Sequence, residues 1–244
     1  VTSTTHIPSL EMLGVEKSLI GFPNLDYISS EKTRKRINEK LITELGKNED
    51  INTEVLIDIN PDLVVGFAVD GNNKTLNTIK KTGIQVVYNG DWTETSPLGK
   101  AEWLKFFAAF YNKEKEANRI FSEIKTAYQN AKKLALKSKT TPTVLSGAMY
   151  KDVWYLPQGN SWAAQFINDA NGNYLWKETE GTGSFSLNLE SILDLGRQAE
   201  VWIGPSYFTN LQQMKEGHSV YQEFEAFKNN QVYNFTNKVG ETGG

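Results

Sequence analysis

Short apolar runs separated by amphipathic stretches fill the first half of the chain, the alternation that βαβ units around a parallel sheet require. Leu19 to Phe22, Leu63 to Phe67 and Ile84 to Tyr88 predict strands. Between the second and third, Thr75 to Thr82 sets Leu76 and Ile79 at helical spacing, and Gly83 follows where a helix would stop. Lys100 to Tyr111 predicts a helix with Trp103, Phe106, Phe107 and Phe110 on one side. A longer helix follows, with Asn112 as its cap and Glu114 and Glu116 in its first turn. Its apolar stripe runs through Ala117, Ile120, Phe121, Ile124, Tyr128, Ala131 and Leu134. Extended to Lys137 it would span about 38 Å, enough to cross from one lobe to another.

Beyond Pro142 the pattern restarts. Strands are predicted at Thr143 to Ser146, Trp154 to Leu156, Val201 to Ile203 and Val232 to Phe235, with helices at Ser161 to Ala170 and Val220 to Phe227. Gly181 to Ser186 reads as a turn, because it lacks the strand-then-helix setting of a dinucleotide loop. One phrase occurs in both halves. Thr53-Glu54-Val55-Leu56-Ile57-Asp58-Ile59, leading into Leu63-Val64-Val65-Gly66, returns as Leu189-Glu190-Ser191-Ile192-Leu193-Asp194-Leu195 leading into Val201-Trp202-Ile203-Gly204. A self-similar phrase in each half predicts two related lobes with a ligand cleft between them. The expected division is residues 1–111 for an N-terminal α/β lobe, 112–139 for the bridging helix and 140–244 for a C-terminal α/β lobe.

Composition narrows the function classes. The 244 residues carry 26 basic against 29 acidic side chains, a net charge of -3, and the lysines are dispersed along helices, so nucleic acid is not an expected partner. Cysteine is absent from these residues, which removes thiolate metal sites, disulfides and thiol chemistry from within them. The only histidines, His6 and His218, stand far apart, so a histidine metal site is not expected, although His6 at the end of a first strand could face a haem iron or a corrinoid. No Gly-x-Ser-x-Gly elbow or Walker sequence occurs, and no enzymatic activity is expected. The start, Val1 to His6, reads as the inside of a strand, and Val239 to Gly244 ends abruptly, so both natural ends are expected to lie outside these residues.

Together the two glutamate phrases, the bridging helix and Trp154-Tyr155-Leu156-Pro157-Gln158-Gly159-Asn160-Ser161-Trp162 give the chain its likeness. It resembles the class III periplasmic substrate-binding proteins of ABC importers for ferric siderophores, haem and cobalamin. The resemblance covers nearly the whole chain and lies in the order of the motifs rather than in any one of them. It implies two Rossmann-like α/β lobes with parallel sheets joined by one long helix, a ligand held in the inter-lobe cleft, and a monomer in the periplasm or at the cell surface. It also implies a lipid anchor through a cysteine upstream of Val1. Glu54 and Glu190 match the family's pair of glutamates that dock on arginines of the ABC permease dimer; helix capping is the alternative for each. No intrinsic cofactor is implied, only a transported iron chelate, haem or corrinoid. The alternative class is a chelate-processing or metal-inserting enzyme on the same scaffold.

Ligands of open parallel α/β sheets sit beyond the carboxyl ends of the strands. Aromatics predicted in those places are Tyr27, Trp92, Tyr150, Trp154 and Tyr207. Lys47 and Asn48 border the cleft in related proteins, and Lys47 could neutralise an anionic ligand. Asn160, Ser161 and Trp162 open a helix whose backbone N–H groups could receive a carboxylate or phosphate, helix capping being the competing role.

Overall fold

The structure, a computed structural model, describes residues 1–67 and 73–235; the expected abrupt end at Val239 to Gly244 lies outside them. In chain order the first elements are α1 (Ile7–Met12), β1 (Gly21–Phe22), α2 (Glu31–Asn38), β2 (Thr43–Glu44), a hairpin of β3 (Gly46–Lys47) and β4 (Asp50–Ile51), α3 (Thr53–Ile59), β5 (Val64–Phe67), α4 (Lys74–Lys81) and β6 (Val86–Asn89). Then come α5 (Pro97–Glu102), α6 (Leu104–Ala108), α7 (Glu114–Ala135), β7 (Thr143–Ser146), β8 (Ala148–Tyr150), β9 (Val153–Pro157), α8 (Trp162–Asp169) and β10 (Asn173–Tyr174). The last are β11 (Ser184–Leu187), α9 (Leu189–Gly196), β12 (Val201–Ile203), α10 (Leu211–Gly217), α11 (Glu225–Lys228) and β13 (Val232–Tyr233).

The chain folds as two compact units, the first built from Val1–Trp92 and Glu102–Ser122, the second from Thr93–Ala101 and the described residues from Glu123 on. Helix α7, 22 residues and about 33 Å long, gives its first part to one unit and the rest to the other. It starts at Glu114, two residues later than expected, because Asn112 adopts a left-handed conformation with φ 53° instead of capping. The aromatic helix before it breaks at Trp103 into α5 and α6.

In the first unit β1 pairs with β2 and β5 with β6, both in parallel, and the two pairs are separate sheets. Leu45, Ile51, Leu56, Val64, Leu76 and Ile79 form one core cluster there. The expected opening strand is absent from Val1 to His6: Thr4–His6 is a 3-10 turn leading into α1.

In the second unit a continuous parallel sheet runs β10-β7-β12-β13. An antiparallel sheet, β11-β9-β8, stands apart from it. The sequence reading missed this second sheet and took part of β11 for a turn, because Ser184-Phe185-Ser186 is too short and too polar to signal a strand. Gly147 joins β7 to β8 at φ 82°, and a Cβ there would collide with the Tyr155 carbonyl. Trp154 and Trp202 stack at 5.3 Å in the core, with Tyr221 and Phe224 packed against both. The helix expected at Val220 to Phe227 divides into a 3-10 turn and α11, leaving Phe224 to fill that core.

Candidate functional site

The repeated phrase folds the same way in both units. Asn52 Oδ1 accepts from the Val55 N–H at 3.1 Å to cap α3, and Asn188 Oδ1 accepts from the Ser191 N–H at 2.8 Å to cap α9. Leu56 and Ile192 then anchor the helices in their cores, and each chain passes into a parallel strand, β5 or β12. Because asparagines supply the caps, Glu54 and Glu190 remain exposed in the first turns, where the helix dipole favours a carboxylate. Neither has a hydrogen-bond or ion-pair partner among the described residues. Glu190 borders a surface groove with Leu189, Leu193, Asp194, Arg197 and Gln198.

In the first unit Tyr27 ends a 3-10 turn just after β1 and is 64% exposed. Glu44 braces this turn, its two carboxylate oxygens accepting from the Asn24 and Leu25 N–H groups at 2.9 Å each. Trp92 sits in a second 3-10 turn, Asp91–Thr93, immediately after β6. Buried Asn89 sets that turn by accepting from the Asp91 N–H at 2.8 Å, while its own amide nitrogen has no partner among the described residues. The sequence reading missed Asn89; its place as the last residue of a strand before Gly-Asp is the signal that would have found it. Lys47 is exposed opposite Asp50 in the hairpin, and half-buried Asn48 lies in its turn.

In the second unit Tyr207 follows β12 and is 76% exposed. Asn234, just after β13, clips this loop by donating to the Ser206 and Phe208 carbonyls at 2.7 and 2.9 Å. Exposed Phe235 lies over Gly204 at the same end of the sheet. Exposed Tyr150 ends β8, with Lys151 Nζ 5.4 Å from its ring centre and Tyr155 at 6.3 Å. Asn234, Phe235 and Tyr155 were not among the expected residues. Phe235 and Asn234 were read only as strand, although their place at its carboxyl end was the available signal.

Three expectations fail in the second unit. Trp154 is fully buried and donates its indole N–H to the Ser146 carbonyl at 2.9 Å, so its ring belongs to the core and cannot line a ligand site. The Asn160 and Ser161 N–H groups are taken by the Gly181 and Gln158 carbonyls at 3.1 and 3.0 Å, so they are not open to an anion. Buried Ser161 instead caps α8, accepting from the Ala164 N–H at 3.2 Å. Trp162 remains partly exposed, edge-on to Phe166, with Lys100 Nζ 5.4 Å from its ring centre.

His6 also moves inward. It is buried against Phe107 at 5.3 Å, with neither ring nitrogen partnered among the described residues, and burial lowers its pKa to about 3. It ends the 3-10 turn Thr4–His6 rather than following a strand, and its buried ring is not open to a haem iron or a corrinoid. Near α7, Asp169 accepts from Tyr128 Oη at 2.6 Å, Lys132 Nζ at 2.5 Å and Gln165 Nε2 at 2.8 Å. Burial pushes its carboxyl up, but these three donors outweigh burial and hold it below the usual carboxylate range. This cluster ties α8 to α7. Among the described residues no three histidine, cysteine, aspartate or glutamate side chains group as a metal site.

A sequence model described as periplasmic binding protein matches residues 1–239. An uncharacterized lipoprotein of Methanocaldococcus jannaschii is 34% identical over 242 residues, 96% of this chain and 58% of the relative's length. The chain thus spans little more than half of that relative. Among solved structures, the periplasmic heme binding protein HutB of Vibrio cholerae matches with a TM-score of 0.76 at 13% identity, over 99% of this chain and 93% of HutB. The periplasmic vitamin B12 binding protein BtuF of Vibrio cholerae matches with a TM-score of 0.65 at 14% identity, over 96% of this chain and 85% of BtuF. The parallel sheets and the long helix α7 are the fold these class III structures share.

Proposed function

The chain belongs to the periplasmic binding protein family, and on that footing we propose that it is the extracytoplasmic receptor of an ABC importer. It captures an iron chelate, haem or a corrinoid and delivers it to a permease dimer. The observation that carries the reading is the set of exposed aromatics held by braced turns just past the carboxyl ends of parallel strands: Tyr27 after β1, Trp92 after β6, Tyr207 after β12. Turns braced in this way hold the backbone positions of the rings, whose flat apolar faces suit a broad metal chelate. Tyr150, Trp162 and Phe235 extend the set, and Lys47 offers a positive charge to an anionic ligand. The haem and vitamin B12 binding neighbours favour those ligand classes.

Delivery falls to Glu54 and Glu190. Their exposure, their equivalent first-turn positions and the asparagine caps that release them from capping all favour pairing with arginines of a permease. The receptor works as a monomer, held at the membrane by a lipid on a cysteine upstream of Val1; the lipoprotein relative supports this tether.

Titration of the natural protein with haem, cobalamin and ferric siderophores, followed by tryptophan fluorescence and the visible bands of each ligand, tests capture. One of these classes is expected to quench fluorescence saturably with a shifted band. A folded protein that responds to none of them contradicts the proposal.

A further inference from the structure

We propose that the end of α7 and the turn that follows it, Lys133 to Lys139, form a surface that lies on an anionic lipid membrane. Between Glu123 and Asp152 the chain carries six lysines and no carboxylate, although the protein is acidic overall. The end of the helix gathers most of them. Its first turn holds Glu114 and Glu116, its last turn Lys132 and Lys133. Past Ala135 the backbone tightens, with the Lys137 and Ser138 N–H groups donating to the Leu134 and Ala135 carbonyls at 3.0 Å each, which keeps Lys137 on the helix surface.

The two sides of this helix end differ. Tyr128 and Ala135 are half-buried, and Asp169 accepts from both Tyr128 and Lys132, so that side is closed against the second unit. At helical spacing Lys133, Leu134 and Lys137 project from the opposite side. All three are exposed, as are Leu136 and Lys139 just beyond. The ammonium groups of Lys133, Lys137 and Lys139 have no hydrogen-bond or ion-pair partner among the described residues. Beside them Leu134 is 68% exposed and Leu136 60%.

This pairing of side chains selects the partner. Water alone suits the lysines and leaves two leucines wet. Nucleic acid would do the same, and it favours arginine and aromatic rings, which residues 133–139 lack. An anionic bilayer takes both kinds of residue: the lysines reach the phosphates on their long stems while the leucines enter the apolar boundary. Each lysine held near such a surface strengthens partitioning about fivefold. Among the described residues no helix is long and apolar enough to cross a membrane, so the contact is peripheral.

Its place in the unit gives the contact a use. Residues 133–139 lead through Pro142 into the start of β7, at the amino end of the parallel sheet, whereas Tyr207 and Phe235 lie past the carboxyl ends of β12 and β13. A receptor resting on lipid by its lysines and leucines leaves those aromatics turned to solvent, where a ligand arrives. The inference rests on the extracytoplasmic setting proposed above.

Flotation with vesicles of equal parts phosphatidylglycerol and phosphatidylcholine tests the contact, using the natural protein prepared in soluble form so that no covalent lipid contributes. Binding is expected at low salt, weaker at high salt and absent with phosphatidylcholine alone. Lys133→Gln, Lys137→Gln and Lys139→Gln combined should lower it by about 100-fold, and arginine at the same positions should restore it. Leu134→Ser with Leu136→Ser should weaken it severalfold. No binding to the anionic vesicles, or a glutamine variant that binds as well as the parent, overturns the proposal. A leucine variant that binds undiminished also overturns it, and retention of the parent on DNA as tight as on the vesicles would then assign the face to nucleic acid. Ligand titration keeps the two readings apart. A protein that captures haem, cobalamin or a ferric siderophore but floats with no vesicle contradicts the membrane contact alone; one that binds vesicles but no ligand contradicts the proposed capture alone.

Discussion

The two units carry the same helix-to-strand phrase, yet their sheets differ. In the second, β12 lies inside a continuous sheet between β7 and β13; in the first, among the described residues, β5 pairs with β6 and its other edge meets Thr2. The shared part is local: an asparagine cap, one buried leucine or isoleucine, and a run of apolar residues. The differing part is long-range, since β12 pairs with β7 from a distant part of the chain while β5 has no such strand among the described residues. Local chemistry repeats within one chain, whereas sheet completion needs a partner from elsewhere in it.

The comparison can be broken hardest in the second unit. Replacing Trp154 with alanine should cost roughly 3–5 kcal/mol, because it empties a site between Trp202, Tyr221 and Phe224. Denaturant unfolding would read the loss; a change in ligand affinity with unchanged stability would return Trp154 to the ligand set. Asp169→Ala should cost about 2–3 kcal/mol, since Tyr128, Lys132 and Gln165 lose their common acceptor. Protection of the second part of α7 against hydrogen exchange should fall with it.

The first unit has a weakness to acid. Its buried His6 stays neutral in the folded state down to about pH 3, whereas the unfolded chain takes up that proton near the ordinary value of 6.5. Between these two values the unfolded state binds more protons, so stability falls as pH falls, by about 1.4 kcal/mol per unit from this residue. His6→Leu should flatten that limb of the stability curve. A curve unchanged by the substitution would mean that other groups set it.

The mildest change tests the likeness itself. Asn52→Ala and Asn188→Ala should each cost about 1 kcal/mol, and by similar amounts, because the caps are equivalent. A large inequality would show that the two phrases are held by different surroundings.

Much of this architecture is legible along the chain. Strands β7 and β12 fall where the apolar runs place them, and Asn73 and Ser161 cap helices that the 3.6-residue spacing predicts. Periodicity reports burial without naming what lies across the core, so Trp154 could be read as a loop aromatic when Trp202 holds it inside. The same limit hid His6, whose polar ring gives no sign that Phe107 covers it. Strand β11 escaped because its serines alternate outward and leave only Phe185 and Leu187 facing the unit. The bracing residue Glu44 is equally silent, since it acts on the Asn24 and Leu25 N–H groups brought near by folding. The paired glutamates were visible because the repeat marked them twice.

The central claim is that capture and delivery rest on different residues, aromatics for the first and Glu54 and Glu190 for the second. The most direct test is the ligand affinity of two double variants of the natural protein, Tyr27→Ala with Tyr207→Ala and Glu54→Lys with Glu190→Lys, each compared with the parent. The aromatic pair should weaken binding by about tenfold or more, while the glutamate pair leaves affinity unchanged and abolishes permease-dependent uptake. Loss of affinity in the glutamate variant, with the aromatic variant binding normally, would contradict the claim.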